Sequence, residues 1–256
     1  MLPEIDLGPI TLQTFGICFA LAFLCAGTVV ARRLREVGEP PDWAYEAVFC
    51  ALVGGLIGAR ADFLLQNWSD VSDDVLGSVF SGSGLVWLGG LLGGAVGVLL
   101  WARWRGFLGL LLLDVAAPAL AAGYAVGRIG CQLSGDGDYG TPTSLPWGMA
   151  YPKGTVPTTE HVHPTPVYET LAMGIAALWL WRMRDRYRPG ALFAIYLVVA
   201  GAERILVEFV RRNDGVALGL TLPQIVSAGM VVAGVAWLAR LRRAGGLALP
   251  VAAQSA

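Results

Sequence analysis

Charge is scarce in this chain. Only 14% of its 256 residues are Asp, Glu, Lys or Arg, 55% are hydrophobic, and the mean hydropathy is +0.61. A soluble globular protein carries about 25% charged residues. The deficit excludes an ordinary water-soluble domain and points to a polytopic membrane protein. A net charge of −1 gives no electrostatic basis for binding nucleic acid. Histidine occurs twice and cysteine four times, as Cys18, Cys25, Cys50 and Cys131, never as C-x-x-C. That pattern argues against a disulfide framework or a zinc site. Three of the four cysteines lie in apolar runs, where a thiol packs as a small hydrophobe. The N-terminus, Met1-Leu2-Pro3-Glu4-Ile5-Asp6, lacks the basic flank of a cleavable signal, so the first apolar run reads as a retained span. No metal motif, phosphate loop or dinucleotide fingerprint occurs, and no cofactor is expected.

What is present is a series of apolar runs at roughly 10–31, 43–66, 84–102, 106–127, 166–182, 190–209 and 221–239. A helix needs about 20 such residues to cross the bilayer core. Gly54-Gly55, Gly58, Gly89-Gly90 and Gly93-Gly94 allow helices to approach closely in lipid. Arginines follow alternate runs: Arg32, Arg33 and Arg35; Arg103 and Arg105; Arg182, Arg184, Arg186 and Arg188; Arg240, Arg242 and Arg243. The opposite loops hold Lys153, Arg211 and Arg212, with Arg128 at the edge, and the loop after the second run is acidic, with Asp70, Asp73 and Asp74. The positive-inside rule then places the N-terminus outside and the C-terminus in the cytoplasm. The expected fold is an all-α membrane protein of about seven transmembrane helices. One polytopic domain covers 1–245, its extracytoplasmic head segment covers about 128–165, and 246–256 form a mobile tail.

Polar residues within the apolar runs are the candidates for function. Arg60, Asp62, Asp114, Arg204 and Glu208 fall inside them, and Glu46 and Glu169 lie nearer their ends. An arginine at the bilayer centre costs about 2.5–3.5 kcal/mol on insertion scales, so such groups face an interior or a wet cavity. Arg60, Arg128 and Arg204 fall towards the outer side and are expected to converge there, where planar guanidinium forks suit a phospholipid phosphate. Arg60–Asp62 and Arg204–Glu208 are equally readable as structural ion pairs, the latter at i, i+4 spacing. The glycines of 127–140, Gly130 and Gly140 among them, either bring backbone N–H groups to an anion or make a tight turn. Asp136 and Asp138 read as solvated loop acids on spacing alone. His163 is either a helix-entry residue or a proton acceptor near neutral pH. Tyr168 and Glu169 read as an interfacial tyrosine and a dipole-stabilised acid.

At these residues the chain resembles the prolipoprotein diacylglyceryl transferases of bacteria. The matching blocks are Gly127-Arg128-Ile129-Gly130 with its trailing Gly-acid and Tyr-Gly, His163-Pro164-Thr165-Pro166-Val167-Tyr168-Glu169, and Arg204-Ile205-Leu206-Val207-Glu208-Phe209 with Arg211, Asp214 and Leu220-Thr221 to Gln224. Gly89-Gly90-Leu91-Leu92-Gly93, Gly58-Ala59-Arg60, Asp114 and Pro118 also fit. The resemblance implies an enzyme of the bacterial plasma membrane. It moves the diacylglyceryl group of phosphatidylglycerol onto the lipobox cysteine of a prolipoprotein signal peptide and releases glycerol phosphate. It also implies that Arg128 binds the headgroup, Arg204 holds the phosphate and Glu208 positions Arg204. Leu88 stands where the family has a histidine, Cys131 where it has an asparagine, and Phe15 and Ala200 where it has tyrosines. With Leu88 unable to move a proton, His163 or a head-loop aspartate such as Asp136 becomes the expected acceptor. The alternatives are a non-catalytic relative that binds lipid or lipoprotein precursor, and a small-solute transporter. Against the transporter, no repeat joins the two halves.

Overall fold

The computed structural model describes residues 1–71, 86–213, 215–216 and 219–249. Asp73, Asp74, Asp214 and the tail from Pro250 onward lie outside the described residues. The chain divides into two compact units, one of Met1–Val29 with Leu113–Ala256 and one of Val30–Leu112. The helices are α1 (Thr14–Glu36), α2 (Trp43–Gln66), α3 (Trp68–Val71), α4 (Trp87–Arg105), α5 (Leu110–Ser134), α6 (Thr165–Met183), α7 (Ala191–Glu208) and α8 (Leu222–Arg243). Of these, α1, α2, α5 and α8 are long and apolar enough to cross a membrane. Helix α7 is as apolar elsewhere but carries three charged residues, Glu203, Arg204 and Glu208, within its 18.

The all-α expectation needs correction, because two antiparallel hairpins join the helices. Strands β1 (Glu4–Leu7) and β2 (Ile10–Gln13) pair Glu4 with Gln13 and Asp6 with Thr11, so residues 10–13 are strand and the first helix begins later than expected. Gly8, at φ 70°, makes the turn. Side chains lock this register: Thr11 Oγ1 donates to Asp6 Oδ1 (2.8 Å) and Gln13 Nε2 to Glu4 Oε1 (2.8 Å). Strands β3 (Met149–Tyr151) and β4 (Thr158–Val162) form the second hairpin inside the expected head segment. A second correction concerns its start, since α5 runs to Ser134 and the segment 128–134 is helical.

In the Val30–Leu112 unit, α2 and α4 pack backbone to backbone. A Cβ at Gly58 would lie 2.8 Å from the Gly93 Cα, so only glycine permits this approach. Both ends of the pair are clamped. Asp62 Oδ2 accepts the N–H of Gly89 (3.0 Å) in the first turn of α4. At the other end Glu46 accepts from Trp101 Nε1 and Arg105 Nε, each at 2.8 Å, beneath a cluster of Trp43, Trp101 and Phe107.

In the other unit, an alanine stripe on α5 (Ala117, Ala121, Ala125) packs on Met173, Ala176, Ala177 and Leu180 of α6 and Leu192 of α7. Asp114 accepts the N–H groups of Gly190 (2.7 Å) and Phe193 (2.9 Å), so it caps the amino end of α7. Helix α8 starts with a capping box: Gln224 N–H donates to Thr221 Oγ1 (3.3 Å) and Thr221 N–H to Gln224 Oε1 (3.0 Å). Asp62 and Asp114 therefore serve as helix caps supplied by a neighbouring helix.

Candidate active site

The larger unit encloses a cluster of guanidinium and carboxylate groups where α5, α6 and the end of α7 meet the head segment. Its hub is Glu169, one turn into α6, whose side chain is fully buried. Glu169 Oε1 accepts from the Tyr124 hydroxyl (2.7 Å) and from Arg204 Nη1 (2.9 Å). Its Oε2 faces Arg128 Nε (3.1 Å) and Arg211 Nη1 (3.5 Å). Removing a carboxylate from water is tolerable only with such saturation.

Two further carboxylates complete the cluster. Asp138, on the head segment, bridges Arg128 Nη1 and Arg211 Nη2. Glu208 holds Arg204 Nη2 through Oε2 (2.9 Å), while its Oε1 accepts from Asn213 Nδ2 (2.6 Å) and Thr221 Oγ1 (2.7 Å). Arg128 also donates to the Tyr124 hydroxyl (3.1 Å), and its guanidinium carbon lies 5.0 Å from that ring's centroid. Three arginines thus meet three carboxylates.

Local sequence explains the position of Asp138. Gly135 (φ 61°) and Gly137 (φ 94°) turn the chain immediately after α5, as residues with a Cβ rarely do. The Asp138 carbonyl then accepts the Thr165 hydroxyl at the start of α6. Beyond it the chain pairs with β4, with Gly140 N–H donating to the His163 carbonyl (2.8 Å) and His163 N–H to the Thr141 carbonyl (3.0 Å). Thr141 N–H also reaches the Val210 carbonyl (2.8 Å), tying the head to the end of α7. Burial alone would push the Asp138 carboxyl up; Arg128 and Arg211 outweigh it and hold the group below its ordinary value. Asp136 goes the other way, raised by burial and by the Asp138 charge beside it. Its Oδ1 accepts the Asp138 N–H (3.2 Å).

The structure brings Arg128, Arg204, Glu169 and Glu208 together. It adds Arg211, Asp138 and Tyr124 at the same place, which sequence reasoning had left among loop charges and apolar positions. The signal for Arg211 was its spacing, i, i+3 from Glu208 and close behind Arg204. Gly130 and Gly140 take packing roles. A Cβ at Gly130 would lie 2.7 Å from the Cys18 Cβ, and one at Gly140 would lie 3.0 Å from the His163 Cβ. His163 Nδ1 lies 3.3 Å from the Tyr168 hydroxyl, which accepts from Trp147 Nε1 (2.8 Å). These three form a polar chain on the head. Arg60 belongs to the Val30–Leu112 unit, where it is buried with its guanidinium carbon 5.2 Å from the Phe63 ring centroid. Cys131, Asp136 and Asp138 bring potential metal ligands within 4.8 Å of one another. The cation already among them is Arg128, whose Nη1 lies 3.6 Å from the thiol, and its charge opposes a metal ion.

These features define a helical membrane protein with an arginine–carboxylate cluster in its interior. The chain belongs to the prolipoprotein diacylglyceryl transferase family, whose model matches residues 4–240. It is 32% identical over 258 aligned residues to the phosphatidylglycerol–prolipoprotein diacylglyceryl transferase of Methylibium petroleiphilum, covering 94% of this chain and 96% of that protein. A protein of the same name from Dehalococcoides mccartyi is 31% identical over 245 residues, 93% of each chain. Another, from Clostridium tetani, is 29% identical over 224 residues, 86% of this chain and 90% of its own.

Proposed function

We propose that this chain is a transferase that moves the diacylglyceryl group of phosphatidylglycerol to the lipobox cysteine of prolipoprotein signal peptides and releases glycerol phosphate. The observation that carries the reading is the convergence of Arg128, Arg204 and Arg211 on Glu169 within a member of this family. Breaking the glycerol C–O bond leaves negative charge on a phosphate, and guanidinium groups already held in place stabilise that charge without reorganising. Arg128 and Arg204 are the headgroup ligands in this reading. Glu169 and Glu208 hold them in position, with Tyr168 at the rim. His163 or Asp136, on the head segment, accepts the thiol proton in this reading, directly or through another group.

The same reading makes the protein a multi-pass protein of the bacterial plasma membrane with seven transmembrane helices, α1, α2 and α4 to α8. The N-terminus and the head segment face outward and the C-terminus faces the cytoplasm. The basic residues that close α1, α4, α6 and α8 support this orientation.

The test is glycerol phosphate release by the purified protein given phosphatidylglycerol and a lipobox peptide. Release should depend on the peptide cysteine and should fall about 100- to 1,000-fold in Arg128→Ala, the scale of losing a preorganised charge partner. Leu88 favours a second reading, lipid binding without transfer. Arg128-dependent binding with no release would establish that one instead.

A further inference from the structure

The route by which the thiol proton reaches the head-segment acceptors is open, and the charged cluster contains a carboxyl that its architecture does not use. Three carboxylates there are answered by donors or cations: Glu169 by Tyr124 and three arginines, Asp138 by Arg128 and Arg211, and Glu208 by Asn213 and Thr221 at Oε1 and, at an Oε2 without a hydrogen bond, by the Arg204 ion pair. Such oxygens are poor proton acceptors, because protonation would strand the paired cations. Glu203 differs. It sits next to Arg204 on α7, its Oε1 is closed off from solvent, and that oxygen has no hydrogen-bond partner among the described residues. A buried polar atom left unpaired costs free energy and asks for a role.

The charged and titratable groups that act on Glu203 come from three helices and the segment after α7. Arg128 and Tyr124 lie on α5, Glu169 on α6, Arg204 and Tyr196 on α7, and Arg211 just beyond α7, all within electrostatic reach. Against α7 at Gly201, α8 presents Ser227, Met230 and Val231, none of which titrates. Glu203 is therefore at the edge of the cationic cluster without being neutralised by it.

We propose that Glu203 takes the proton from the lipobox thiol, an assignment that rests on the transferase reading above. The S–H bond breaks and the proton goes to Glu203 Oε1. The sulfur electron pair forms the new S–C bond to the glycerol carbon. The C–O bond to phosphate breaks with its electron pair on the phosphate oxygen, and glycerol phosphate departs with the negative charge the thiolate brought. The proton then leaves through the head segment. A free cysteine, with pKa about 8.5, is only a few per cent thiolate at pH 7, so a positioned base has a large gain to offer.

The experiment measures glycerol phosphate release against pH for the full-length protein, Glu203→Gln and Glu203→Asp, together with phosphatidylglycerol binding. Glu203→Gln should lower kcat about 100-fold with unchanged lipid binding. Its remaining activity should climb with pH as the thiol ionises unaided. A peptide with selenocysteine at the acceptor position, already ionised at neutral pH, should restore most of the lost rate. Glu203→Asp should keep part of the activity and a base-dependent acid limb. Wild-type kcat and pH profile in Glu203→Gln would overturn the assignment and leave the transferase reading intact. So would a failure of the selenol to rescue a variant that still binds lipid. If Glu203→Gln does not fold, Glu203→Asp decides: a folded aspartate variant without the acid limb also overturns it. A wild-type protein that releases no glycerol phosphate removes the transferase reading, and this assignment falls with it.

Discussion

The two units fill the space between their helices by opposite means. In Val30–Leu112, α2 and α4 meet largely through glycine, backbone against backbone, and Asp62 and Glu46 clamp the two ends. In the other unit, α5, α6 and α7 keep an alanine core along most of their length and give one end to arginines and carboxylates. Contact through glycine gains close packing and leaves no room for chemistry. Contact through long charged side chains gives up dry packing and can be entered by an ion. Charge within the apolar runs does not mean one thing in this chain. Asp62 and Asp114 cap helices, whereas Glu169 and Glu208 organise cations.

The comparison can be tested by perturbing each interface in its own terms. The largest stability effect should come from Glu169→Leu, which leaves Arg128, Arg204 and Arg211 without their shared partner. Losing one side of a buried ion pair costs about 3–5 kcal/mol, and thermal unfolding in detergent should show it as the largest drop in the set. Gly58→Val should come next, because its Cβ meets the Gly93 backbone; overpacking costs about 1–3 kcal/mol. It should lower the melting temperature without altering lipid binding per folded molecule. Asp62→Ala removes a cap from α4 and should cost about 0.5–2 kcal/mol, read in the same melts. If Gly58→Val proved harmless while Asp62→Ala was severe, the claim that glycine contact holds this unit together would be wrong.

The smallest effect is in pH. Asp138 has a folded pKa below its unfolded one, so its contribution to stability is present above about pH 4 and is lost as pH falls through the lower folded value. Melting temperature should therefore fall more steeply below pH 4 in the wild type than in Asp138→Asn. Equal slopes would mean that the Asp138 bridge contributes nothing in solution.

Much of this was legible in the sequence, and the failures have physical causes. Apolar runs located the long helices because lipid-length helices need little else to declare themselves. The β1–β2 hairpin was missed because Ile10-Thr11-Leu12-Gln13 continues into the apolar run of α1; its alternation and the Gly8-Pro9 turn were the available signals. The end of α5 was placed too early because Gly127 and Gly130 look like turn residues, yet Gly130 is small to let Cys18 approach. Arg128, Arg204 and Glu208 stood out because charge in apolar runs is rare. Glu169 was seen, but its role as hub was not, since that role depends on three residues distant in sequence. Arg211 looked like a topological marker at a span end, and nothing local distinguishes that use from a ligand's.

Asp138 carries one last consequence. It is tethered by the head segment between the forks of Arg128 and Arg211, and it bears the same single negative charge as a phosphodiester. A site of this kind works as an ion exchanger with its counter-ion attached. On the proposed reading, a lipid headgroup would enter by displacing a carboxylate already at high effective concentration, and the carboxylate would return when the product leaves. The arginines are then never left bare in the membrane, and stray phosphate must compete with an occupant that cannot diffuse away.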